Sequence, residues 1–160
     1  MGTSAEQNVQ AGQPAPDFAL QDEEGKAVRL SDFRGKRVVL FMYPRDNTPG
    51  CTAEACDFRD NMERIRQCGA VVLGLSTDNA DSHQKFKKKH NLPFPLLVDD
   101  DAETAKAYGA WVQKNMFGRK FWGIERSTFI IDEQGELVRI FRKVRVKGHV
   151  DEVIDVLNAL

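Results

Sequence analysis

Two apolar runs constrain this chain more than any other feature. Arg37-Val-Val-Leu-Phe-Met-Tyr43 lies between Gly35 and Pro44, and Ala70-Val-Val-Leu-Gly-Leu-Ser76 follows further along. Neither alternates with polar residues, so each is expected to be a strand buried on both faces of a sheet. Shorter strands are expected at Pro95 to Asp99, Ser127 to Asp132 and Leu137 to Arg142, the last two joined as a hairpin through Glu133-Gln-Gly-Glu136. Helical stretches are expected at 51–68, 80–90, 101–109 and 149–159. Strands alternating with helices predict an α/β fold, a central sheet with helices on both faces. Ahead of it, Phe18-Ala-Leu20 and Val28-Arg-Leu30, separated by Asp22-Glu-Glu-Gly25, predict an N-terminal β-hairpin. Residues 1–8 are expected to form a flexible N-terminus and residues 9–160 a single domain, without repeats or low-complexity linkers.

A chain of 160 residues is long enough for a self-sufficient core, and 41% hydrophobic against 29% charged residues fits a globular protein. Lys and Arg number 23 against 24 acids, a net charge of −1 that gives no field for nucleic acid or an anionic membrane. Met1 to Gln13 is polar, and no run of 18 apolar residues occurs, so a cytoplasmic location without a membrane partner is expected. Three irregularly spaced cysteines do not form a secreted disulfide framework. In a reducing compartment they are structural thiols, metal ligands or redox catalysts.

Tyr43-Pro-Arg-Asp-Asn-Thr-Pro-Gly-Cys51-Thr-Ala-Glu-Ala-Cys56 leaves a buried strand, turns through a Pro/Gly loop and enters a helix. In an open α/β sheet, ligands bind beyond the carboxyl ends of the strands, which is where Cys51 is expected. In a first helical turn, free amides and the positive dipole end favour a thiolate. Pro49 and Gly50 shape the turn so that backbone N–H groups face a bound oxygen, and the Thr48 hydroxyl both donates and accepts. At about 100° per residue, Cys51, Ala55, Phe58, Met62 and Ile65 share one stripe, while Cys56 lies roughly 140° from Cys51. Their Cα atoms would be roughly 8 to 9 Å apart, so a disulfide between them requires the first turns to unwind.

These residues, with Glu54-Ala-Cys-Asp-Phe-Arg-Asp60 and a second block at Gly123-Ile-Glu-Arg-Ser-Thr-Phe-Ile-Ile-Asp132, closely resemble the bacterioferritin-comigratory, or Q-type, peroxiredoxins. The order of elements agrees over about residues 9–159. The resemblance implies a thioredoxin-like fold in which Cys51 is the peroxidatic cysteine, Thr48 and Arg126 complete the peroxide site, and Pro44 shields it. It implies reduction of hydrogen peroxide and organic hydroperoxides through a Cys51 sulfenic acid, in antioxidant defence. Cys56 would resolve that acid as an intramolecular disulfide, with recycling by thioredoxin or a similar dithiol protein. A monomer is implied, with no metal, flavin or haem. Some family members carry the resolving cysteine on the next helix, where this chain has Asp81-Ser-His83, and that departure favours Cys56.

Other features read more plainly. Cys68, before Gly69, is expected to be a structural thiol at a helix end. His83, His90 and His149 lack metal-ligand spacing with the cysteines and are expected at the surface or at helix termini. Trp111, Phe117, Phe121 and Trp122 are expected to pack in the core or a loop, and Lys85 to His90 to form a solvated helical face. Three other functions compete with the peroxidase: a thiol–disulfide oxidoreductase, weakened by the absence of Cys-x-x-Cys; a thioredoxin-like binding module in which Cys51 is only a sensor; and a zinc domain, which lacks a fourth ligand.

Overall fold

The two apolar runs become the centre of the sheet. In a computed structural model that describes residues 9–160, β3 (Arg37–Met42) and β4 (Ala70–Ser76) pair in parallel from Arg37 with Ala70 to Met42 with Leu75. Both faces of β3 are covered, which is why its sequence shows no alternation. Beside them run β1 (Ala19–Gln21), β2 (Ala27–Arg29), β5 (Leu96–Val98), β8 (Ser127–Ile131) and β9 (Leu137–Phe141), in the order β2-β1-β5-β4-β3-β8-β9. The β4–β5 pair is parallel, while β8 is antiparallel to both β3 and β9. The sheet is therefore mixed, and the fold is thioredoxin-like. The N-terminal hairpin extends one edge of the sheet through the pairing of Gln21 with Val98. The flexible tail expected over residues 1–8 lies outside the described residues.

Helices cover the two faces unequally. On one face, α1 (Pro49–Asp60), α2 (Met62–Gln67), α3 (Ala80–His90) and α5 (His149–Asn158) close over Val39, Phe41 and Tyr43. The other face, with Val38, Leu40 and Met42, is covered by α4 (Glu103–Ala107), Tyr108, Ala110 and the chain around Ala15 and Phe18. Phe41 stacks on Phe58 of α1 at 4.7 Å between centroids. Gly74 leaves the space for that ring: a Cβ there would stand 2.8 Å from Leu96 Cδ2 and 3.1 Å from Phe41 Cζ.

Two expectations about the elements need correction. The helix expected over 51–68 is split at Asn61, whose side-chain amide donates to the Asp57 carbonyl at 2.8 Å and takes the place of a helical backbone partner. The segment around residues 110–123, where no strand or helix is expected, forms a separate hairpin, β6 (Trp111–Met116) with β7 (Arg119–Ile124). Its two-residue turn, Phe117-Gly118, has φ of 55° and 77°, the mirror-image geometry that matches strand twist. Trp111 is partly buried, but Phe117 is fully exposed, and Phe121 and Trp122 are also exposed, so three of the four aromatic residues expected to pack in the core or a loop stand in solvent.

Candidate active site

Strand register brings the two sequence blocks together. Met42, the last residue of β3, pairs with Ser127, the first of β8. Arg126, just before β8, therefore sits beside the chain leaving β3. That chain passes through buried Tyr43, half-buried Pro44 and the loop to Thr48, which caps α1 with extended backbone. Pro49 and Gly50 occupy the first helical positions and Cys51 the third, where amides have no partner within the helix.

Cys51 is buried, and the Arg126 Nη2 donates to its Sγ at 3.3 Å. The other arm of the guanidinium, Nη1, donates to Glu54 Oε1 at 2.8 Å. A guanidinium thus meets the sulfur of a residue in the first turn of α1, at the positive end of the helix dipole. Gly50 serves this geometry through space, since a Cβ there would stand 3.1 Å from Arg126 Nη2. Thr48 does not cap the helix with its side chain; its Oγ1 donates to the Arg45 carbonyl at 2.8 Å and keeps its lone pairs available.

Glu54 was not singled out in the sequence. It lies three residues after Cys51 on the inward stripe, fully buried, and its Oε2 has no hydrogen-bond partner. Burial pushes its carboxyl up to about 7, against the opposing pull of Arg126. Arg126 is held above the ordinary arginine range: burial works against its charge, and Glu54 and Cys51 outweigh it.

The expected helix phase holds. Cys51, Ala55, Phe58, Met62 and Ile65 are all buried, whereas Cys56 is half-buried off that stripe. All three cysteines are free thiols, and α1 is continuous across Cys51 and Cys56. Cys68 lies at the end of α2, where its Sγ meets Asn158 Oδ1 at 3.3 Å and Gly69 terminates the helix with φ 70°.

Of the histidines expected at the surface or at helix termini, His83 and His149 are buried, the latter at the terminus of a helix as the first residue of α5. His83 meets Asp46 Oδ2 at 2.6 Å through Nδ1 and the Leu97 carbonyl at 2.9 Å through Nε2. Asp46 also accepts from Tyr43 Oη and Ser82 Oγ. His149 is buried against Thr128 Oγ1, 2.8 Å from its Nε2. Burial opposes charge on His83, but the hydrogen bond and charge of Asp46 outweigh it and raise its affinity for a proton. Asp46, Asp78 and His83 bring ligand atoms within 4.8 Å of one another. Those atoms are engaged in hydrogen bonds: Asp78 Oδ2 accepts from the Asp46 amide and from Ser76 Oγ. The cluster braces the Cys51 loop against β4 and α3.

The family model described as AhpC/TSA matches residues 11–140. The chain belongs to the AhpC/TSA family. Within it, the Bacillus subtilis peroxiredoxin Bcp is 52% identical over 150 residues, covering 94% of this chain and 96% of that protein. The Escherichia coli K12 peroxiredoxin Bcp is 40% identical over the same shares. Among solved structures, the Xanthomonas campestris bacterioferritin comigratory protein, described for its alkyl peroxide reduction activity, superposes with a TM-score of 0.88 at 37% identity, covering 94% of this chain and 98% of that one. The Mycobacterium tuberculosis peroxidoxin BcpB superposes with a TM-score of 0.85 at 32% identity, covering 96% and 99%. This peroxiredoxin is accordingly an enzyme, a thiol peroxidase. No helix among its described residues is long and apolar enough to cross a membrane.

Proposed function

We propose that this peroxiredoxin reduces hydrogen peroxide and organic hydroperoxides at Cys51. The observation that carries this reading is the 3.3 Å contact between Arg126 Nη2 and Cys51 Sγ at the third residue of α1. The thiolate attacks the terminal peroxide oxygen, the O–O bond breaks, and the departing oxygen takes a proton to leave as water or an alcohol. Arg126, the Thr48 hydroxyl and the amides at Gly50 and Cys51 stabilise the charge moving onto the oxygens. Pro44 shields the sulfur from bulk water. The alkyl peroxide reduction ascribed to the Xanthomonas relative supports the substrate class.

Cys56 then attacks the sulfenic sulfur, forming a disulfide and releasing the hydroxyl as water. Five helical steps separate the two cysteines by about 7.5 Å along the axis, so the first turns of α1 must unwind for the bond to form. A dithiol protein of the thioredoxin type returns both thiols by exchange through a mixed disulfide. The enzyme acts as a cytoplasmic monomer.

Cys56→Ser tests the resolving step. After excess peroxide, intact mass should show more Cys51 sulfinic acid than in the wild type. An unchanged sulfinic yield would remove Cys56 from the cycle.

A further inference from the structure

A chain with net charge −1 carries a concentrated positive surface beside Cys51. From Leu137 to Val150 there are five cations and no acid, Arg139, Arg142, Lys143, Arg145 and Lys147. The hairpin from Trp111 to Ile124 adds Lys114, Arg119 and Lys120, again with no acid. Lys114, Arg119, Lys120, Lys143, Arg145 and Lys147 form no ion pair among the described residues.

These two segments adjoin each other and the site. Arg142 donates to the carbonyls of Tyr108 and Gly109 at 2.9 and 3.2 Å, tying the basic loop to the base of the hairpin. Val144 N–H donates to the Arg126 carbonyl at 3.1 Å. On the hairpin, Lys114 lies across Gly123, its Cε 3.5 Å from where a Cβ would stand. Burial, and after it the Arg126 charge, lower the proton affinity of its ammonium, while Cys51 opposes them. Beyond Lys114 stand exposed apolar side chains: Met116 at 57%, Phe121 at 40%, Trp122 at 54%, and Phe117 fully exposed at the tip. A groove of about 550 Å³ runs along Lys143, Arg145 and Lys147 to the start of α5, with Glu152 at its rim. Glu125 also lies close enough to favour the charges of Lys114 and Arg142.

Exposed aromatic residues beside unpaired cations are the composition of a protein interface, an apolar centre with a charged rim. Given the function proposed above, one macromolecule must approach this side of the enzyme, the dithiol protein that reduces the Cys51–Cys56 disulfide. We propose that the β6–β7 hairpin and the 142–148 loop form its docking surface, and that the partner presents a dithiol beside an apolar patch ringed by acidic side chains. Complementary charge would speed encounter and orient the partner, and would lose strength with salt.

The test uses the full chain with thioredoxin, thioredoxin reductase and NADPH. The triple variant Lys143→Glu, Arg145→Glu, Lys147→Glu should raise the KM for thioredoxin by about tenfold or more at low ionic strength and flatten its salt dependence. The corresponding triple change to Gln should fall between it and the wild type. Single-turnover oxidation of Cys51 by peroxide, and recycling by dithiothreitol, should match the wild type in both variants, which shows that they fold. Intact oxidation and recycling with an unchanged KM would overturn the docking surface alone. A wild type whose Cys51 fails to react with peroxide would overturn the proposed function and the surface with it. Binding to anionic phosphatidylglycerol vesicles that Phe117→Ser abolishes, with the KM for thioredoxin unmoved, would assign the surface to a bilayer and overturn the protein partner.

Discussion

Arg126 and Cys51 stand 75 positions apart in the chain, yet a guanidinium nitrogen of one lies 3.3 Å from the sulfur of the other. Strand pairing makes the contact, and Glu54 holds the second arm of the fork at 2.8 Å. A lysine could supply the charge but not both directed bonds. Arg126→Lys should lower the second-order rate of Cys51 oxidation by about a hundredfold with little change in thermal stability. Stopped-flow peroxide reduction beside a melting curve checks both.

Gly50 gives a finer test of the same geometry. A methyl group there would stand 3.1 Å from Arg126 Nη2 and displace the guanidinium. Gly50→Ala should slow peroxide reduction by about tenfold, while helix propensity keeps stability at or slightly above that of the wild type. Equal rates would show that the fork tolerates the shift.

Glu54 makes stability depend on pH. Its carboxyl is pushed from 4.5 up to about 7 by burial, so between those values the folded chain holds a proton that the unfolded chain has released. Stability therefore falls as pH rises through that window, by an amount on the order of 3 kcal/mol from this group alone. Glu54→Gln cannot ionise, so urea denaturation should find its stability relative to the wild type rising from pH 4.5 to 7 and level above. A constant difference would contradict the buried titration.

His83 works in the opposite sense. Its proton affinity is raised in the fold, because Asp46 outweighs burial. The stabilisation it gives is fully present below the unfolded histidine value of about 6.5 and is lost as pH rises through the folded value. His83→Asn should cost about 3–5 kcal/mol near pH 5.5, since it leaves Asp46 buried without its cation. The cost should shrink toward alkaline pH, as measured by denaturation at several pH values.

The sheet and the inward stripe of α1 were legible because burial leaves a direct mark on sequence: unbroken apolar runs at β3 and β4, and apolar spacing from Cys51 to Ile65. What lay hidden depends on partners distant in the chain. Glu54 is a charge on an apolar stripe, and its counterion is 72 residues away; the interrupted stripe was its only local signal. His83 and His149 look like surface residues until Asp46 and Thr128 arrive from other elements. The β6–β7 hairpin was missed because its aromatic residues face outward and its turn is Phe117-Gly118 rather than Asn-Gly.

Rapid-mixing measurement of peroxide consumption by the wild type and Cys51→Ser, with intact-mass analysis of each, tests the central chemistry most directly. The account predicts that one equivalent of peroxide leaves the wild type two hydrogen atoms lighter, as the Cys51–Cys56 disulfide, and that the variant loses about a thousandfold or more in rate. Undiminished peroxide reduction by Cys51→Ser would contradict it.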